Sequence, residues 1–77
     1  MISVEVHMHG NLRRFLPQGV GSIRLEVPEG TRIGELVERL RADNEVGVAA
    51  IGSRAVALSA ALEDGVPIDF YAHLEGG

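Results

Sequence analysis

Between residues 33 and 40 the apolar positions Ile33, Leu36, Val37 and Leu40 fall at i, i+3, i+4 and i+7, one face of an α-helix. On either side of this segment the apolar residues change to a period of two. Before it, Ile2, Val4, Val6 and Met8 alternate with Ser3, Glu5, His7 and His9, and Ile23, Leu25 and Val27 alternate with Ser22, Arg24 and Glu26. After it, Val66, Ile68, Phe70, Ala72 and Leu74 alternate with Pro67, Asp69, Tyr71 and His73, with Pro67 near the strand start, where a missing donor matters least. One helical stripe among half-buried strands predicts an α+β domain in which the helix covers one face of a mixed sheet.

The remaining segments follow from local signals. Leu12, Phe15 and Leu16 are expected to face inward from one short helical turn, and the stretch from Pro17 to Gly21 reads as a loop. Pro28-Glu29-Gly30 closes the second strand, which returns antiparallel to the first, and Thr31 is the expected helix N-cap. Glu35 sits near the helix start and Arg39 and Arg41 near its end, each where the macrodipole favours its charge. Ala42-Asp43-Asn44-Glu45 reads as a polar loop. Val46 to Ile51 reads as a third strand covered on both faces, Gly52-Ser53-Arg54 as its turn, and Ala55 to Leu58 as a short fourth strand. Ser59 to Leu62 is a loop or helical turn, and Glu63-Asp64-Gly65 a tight turn.

A sequence of 77 residues accommodates one domain, spanning residues 1–77, with a small aliphatic core: 45% of it is hydrophobic and only 4% aromatic. Its net charge of −4 argues against nucleic acid or an anionic membrane as the main partner. No stretch approaches the roughly 18 apolar residues of a membrane span, and a cytoplasmic protein is expected. There is no cysteine, which excludes disulfides and thiolate metal sites. All seven basic residues are arginine, so no lysine amine is present to attack an activated acyl group; a skewed genome composition accounts for the same absence.

Several constellations carry a possible chemistry beside a plainer account. Gly76-Gly77 is a side-chain-free segment whose α-carboxylate, ionised at neutral pH, can attack an activated phosphate; an ordinary frayed end is the plainer account. His7, His9 and His73 lie on the outward faces of strands, a weak candidate for a three-imidazole metal site, with no carboxylate or cysteine spaced to join them. A solvated strand face is the plainer reading, and the expectation is no metal. Tyr71 on the same face is either an anchor for a partner protein or a cross-strand packing residue. Gly19-Val20-Gly21 precedes a strand and lacks the helix a dinucleotide fingerprint needs. Arg13 and Arg14 read as solvated, Ser53 and Ser59 have no partner suggesting a nucleophile, and Glu63-Asp64 is more simply a turn.

With the elements in this order, the chain resembles the ubiquitin-like sulfur carriers, the molybdopterin-synthase small subunit and the thiamin sulfur carrier. The resemblance rests on the opening strand with Gly10-Asn11-Leu12-Arg13, on Val27-Pro28-Glu29-Gly30-Thr31 leading into Ile33-Gly34-Glu35-Leu36, on Leu62-Glu63-Asp64-Gly65, on Phe70-Tyr71 and on Gly76-Gly77. The leucine-arginine segment is closer to the molybdopterin type. Ala72 and His73 stand where that family often has prolines, and Gly52-Ser53 where it commonly has Asn-Gly. The resemblance implies a β-grasp fold of four to five strands, with the first and last strands as parallel neighbours. It also implies a carrier that is no enzyme and binds no cofactor of its own. An E1-like adenylating enzyme would use ATP and Mg²⁺ to activate the Gly77 carboxylate. A sulfur donor would then leave a thiocarboxylate for a sulfur-accepting synthase or cofactor-biosynthesis enzyme. Tyr71, His73, Leu74 and Glu75 would meet those partners, and Gly76 would pass with Gly77 into their active sites. The alternatives are a protein modifier joined through Gly77 to lysines of target proteins, and an interaction domain with a passive tail.

Overall fold

The computed structural model describes residues 1–16 and 20–72. Its elements are strand β1 (Ile2–Met8), a 3₁₀ helix (Gly10–Phe15), β2 (Ser22–Val27), helix α1 (Ile33–Arg39), β3 (Val46–Ile51), β4 (Arg54–Val56) and β5 (Pro67–Ala72). The five strands form one mixed sheet in the order β2-β1-β5-β3-β4. β1 pairs antiparallel with β2, setting Val4 opposite Leu25, and parallel with β5, setting Val6 opposite Ile68. The first and last strands are therefore neighbours in the middle of the sheet, as the expected fold requires.

One side of the sheet and the inner face of α1 make the core. The alternation of β1 sends Ile2, Val4, Val6 and Met8 inward, where they meet Ile68 and Phe70 of β5 and Ile33, Leu36 and Val37 of α1. Leu12 and Leu16 close one end from the 3₁₀ segment, as predicted, with Phe15 packed partly buried beside them. Among the described residues no polar or charged side chain is buried, so the core gains its stability from apolar burial, about 25 cal/mol per Å² removed from water.

Helix α1 departs from the sequence reading at both ends. Arg32, not Thr31, is the N-cap residue. Thr31 instead turns its hydroxyl back to donate to the Pro28 carbonyl at 2.6 Å. The backbone stays extended through Arg32 because it is bridged to Ala61, with the Leu62 amide donating to the Thr31 carbonyl at 2.8 Å. That same loop supplies acceptors for the first helical amides: Ile33 N–H donates to Ala60 O at 2.9 Å and Gly34 N–H to Leu58 O at 2.7 Å. Glu35 completes the cap by accepting the Arg32 amide at 2.7 Å. The approach at Gly34 is close, since a Cβ there would stand 3.3 Å from the Leu58 carbonyl oxygen.

At its other end the helix stops at Arg39, with Leu40 as C-cap and Arg41 in the left-handed region at φ 63°. The Arg41 amide donates to Glu38 O at 2.9 Å and the Ala42 amide to Val37 O at 3.0 Å, the paired bonds of a Schellman motif. Ala42 is consequently not part of a polar loop: it is fully buried beside Val37, the apolar contact that usually accompanies this cap.

Two strand assignments also change. β3 is not covered on both faces. Its pairing with β5 slips between Val46 and Val48, so that Val46 lies opposite Ala72 and Val48 opposite Tyr71, and the inserted Gly47 turns Val48 out to 46% exposure. β4 begins at Arg54, a residue earlier than expected, because Gly52-Ser53 alone makes a two-residue hairpin turn between Ile51 and Arg54. Gly52 has φ +66°, the sign such a turn requires at its first position.

Candidate functional site at the end of strand β5

β5 occupies the middle of the sheet and runs toward the segment that holds the expected reactive residues. Gly76 and Gly77, together with the expected partner-binding residues His73, Leu74 and Glu75, lie outside the described residues, as does the third imidazole of the metal candidate, His73. Tyr71 lies within β5 on the outer face of the sheet and is 42% exposed.

The parallel register between β1 and β5 builds the surroundings of that strand end. Met8 is set against Phe70, and just beyond it the His9 amide donates to Phe70 O at 3.2 Å. The imidazole of His9 then lies flat on the Tyr71 ring, with centroids 4.5 Å apart and planes 8° from parallel. Its Nε2 is 2.8 Å from Asp69 Oδ1. An ionised carboxylate only accepts, so this nitrogen carries the hydrogen and donates it. Two side chains of β5 and one from the residue just after β1 thus hold one another: Asp69 orients the imidazole, and the imidazole covers one face of Tyr71.

The sequence reading had no carboxylate placed with the histidines, and the fold supplies two. Asp69 binds His9, and Glu5 Oε2 is 3.6 Å from His7 Nε2 on the same strand. Among the described residues no group of three side chains is gathered to hold a metal ion. Of the two roles weighed for Tyr71, cross-strand packing is realised through His9. Arg14 is tied within the molecule, its Nη2 donating to Glu45 Oε1 at 2.7 Å and its guanidinium lying 4.6 Å from the centre of the Phe15 ring. The His9–Asp69 link joins residues sixty positions apart and leaves no local signal. Only the parallel pairing of the two strands, applied residue by residue, points to it.

Known structures resemble this chain in fold. A Pyrococcus furiosus protein assigned as molybdopterin converting factor subunit 1 superposes with a TM-score of 0.76 at 24% identity, covering 96% of this chain and 100% of its own. The likeness in fold extends over that whole length. The fold is the ubiquitin-like β-grasp. Small archaeal modifier protein 1 of Haloferax volcanii has the same β-grasp, with a TM-score of 0.76 at 16% identity over 96% of this chain and 100% of its own. So does Urm1 of Trypanosoma brucei, at 0.67 and 17% identity over 97% of this chain and 95% of its own. No protein-family model matches the sequence, and no curated protein matches it. Within this β-grasp no described helix is long and apolar enough to cross a membrane.

Proposed function

We propose that this protein is a sulfur carrier whose Gly77 carboxylate is activated and loaded by partner enzymes, with molybdopterin or a related cofactor as the destination of the sulfur. The observation that carries the reading is that β5, the middle strand of a β-grasp, leads into Gly76-Gly77 a few residues after Ala72. A likeness in fold to a molybdopterin converting factor subunit supports the same direction.

The chemistry asks little of the folded body. The carboxylate attacks the α-phosphate of ATP in an E1-like enzyme, pyrophosphate leaves, and the resulting acyl adenylate is an electrophile that the free carboxylate is not. A sulfur donor then displaces AMP, and one carboxylate oxygen is exchanged for sulfur. Glycine at both final positions lets the segment lie extended in a channel too narrow for side chains. The carrier is then a substrate in both steps and supplies no general base. ATP and Mg²⁺ belong to the activating partner, and the accepting partner is a synthase of cofactor biosynthesis.

Intact mass spectrometry of the protein isolated from its own cells tests this. A fraction carrying the mass gain of one oxygen replaced by sulfur is expected, and it should vanish when Gly77 is deleted. Conjugates on lysines of other proteins, without any thiocarboxylate, would point instead to a protein modifier. A Gly77 deletion that leaves the cellular role intact would sink both.

A further inference from the structure

β2 is an outer strand of the sheet, with β1 as its single strand neighbour. Its main-chain groups can be sorted from one bond. The Met8 amide donates to Gly21 O at 3.0 Å, which sets the phase of the antiparallel ladder. Ile23, Leu25 and Val27 therefore turn their N–H and C=O groups toward β1, and Ser22, Arg24 and Glu26 turn theirs to the open side. Ser3, which faces Glu26 across the ladder, agrees with this phase. It directs both of its groups away from β2, its N–H to Asp64 Oδ1 and its C=O to the Gly65 amide, each at 2.7 Å.

Apart from the charges of Arg24 and Glu26, this edge lacks the usual devices within a strand against pairing. It has six residues, no proline, no break in its register with β1, and no charge on its inward face. Ile23 and Leu25 remain only partly buried. Arg24 and Glu26 are exposed on the outer face, and among the described residues neither has an ion-pair partner. By contrast, β4 at the opposite edge has just three residues.

The sequence Ile23-Arg24-Leu25-Glu26-Val27 is complementary to itself when reversed. We propose that β2 is a self-association edge, along which a second copy of this chain pairs antiparallel about a two-fold axis through Leu25. In that register Arg24 of one copy faces Glu26 of the other, twice, and both residues turn their main-chain groups to the interface, so each pair exchanges two N–H···O bonds. On the other face Leu25 meets Leu25, and Ile23 meets Val27. Centring the axis on Arg24 would set arginine against arginine, and centring it on Glu26 would set glutamate against glutamate. Odd offsets would oppose groups turned outward with groups turned inward. Centring it on Ile23 would pair Ser22 with Arg24 and carry Glu26 beyond the strand overlap, so the register through Leu25 is the one that joins unlike charges. It extends two five-stranded sheets into a single sheet, with both helices on the same face.

Sedimentation equilibrium of the full chain, from about 10 μM to about 1 mM, covers the range in which a small interface of this kind is populated. The wild-type mass should climb from 8.2 kDa toward twice that value. Glu26→Arg, which faces only Ser3 within its own sheet, should weaken association about tenfold or more by opposing like charges at both pairs. Arg24→Glu should do the same. An equimolar mixture of the two variants should dimerise again, since every pair across the axis then joins unlike charges. Should Arg24→Glu fail to fold, with Glu5 across from it in β1, Glu26→Arg against wild type decides alone. Three results would overturn the proposal: a wild type that stays at 8.2 kDa throughout, a Glu26→Arg variant that associates as tightly as wild type, or a folded mixture that remains monomeric. The first would leave the edge to a strand from a different protein.

Discussion

Arg41 ends its helix in a conformation that suits glycine, and replacing it should stabilise the domain. Its φ of 63° lies in the left-handed region, which costs a residue bearing a Cβ about 1–2 kcal/mol. Glycine escapes that cost, but its greater freedom in the unfolded chain returns about 0.5–1 kcal/mol of it. Loss of the guanidinium removes a favourable charge from the helix C-terminus, about 0.3 kcal/mol for so exposed a side chain. Arg41→Gly should therefore gain about 0.5 kcal/mol over wild type. Arg41→Ala keeps the backbone cost and loses the charge, so it should fall about 0.3 kcal/mol below wild type. The informative quantity is the difference between the two variants, roughly 1 kcal/mol, in which the charge cancels. Urea unfolding with an unchanged m-value reads it directly, and a thermal melt should separate the two by about 4–8 °C. An Arg41→Ala protein as stable as Arg41→Gly would refute the reasoning, because the two carbonyls bonded at this cap would then be held without left-handed strain.

Two further outcomes follow from the core and from the strand end. Leu36→Ala removes a fully buried side chain from the face of α1 and should cost about 2–5 kcal/mol, enough to leave much of so small a domain unfolded in a chemical denaturation series. A double-mutant cycle with His9→Ala and Asp69→Ala should return a coupling of about 0.2–1 kcal/mol, in keeping with side chains 43% and 24% exposed. No measurable coupling would mean that the imidazole is held by Tyr71 alone.

How far each element could be read in advance depended on the range of the forces that shape it. β1 and β2 announce themselves because a strand with one wet face must alternate, and Ile2 to Met8 does so without exception. The inner face of α1 was equally plain. Its cap was not: Thr31 has the right side chain, but the acceptors for the helix come from Leu58 and Ala60, more than twenty residues later. The bulge at Gly47 was hidden because its cause is the register with β5, which a run of small apolar residues does not encode. Arg41 at the helix end broke the rule by which glycine marks such a stop. For the candidate site, the reactivity of a glycine carboxylate is legible from chemistry alone. The His9–Asp69–Tyr71 arrangement needed the parallel alignment of two strands from opposite ends of the sequence.

That alignment also governs how the molecule comes into being. β1 is made before every other strand of the sheet, yet the neighbour that occupies one of its sides is β5, the last of them to be made. The hairpin with β2 can form early. Until β5 arrives, the nascent protein exposes the second side of β1, and Ile2, Val4, Val6 and Met8 lack the cover of Ile68 and Phe70. Pairing at such long range is slow, and the interval before closure is when a newborn chain of this design most needs shelter from its neighbours.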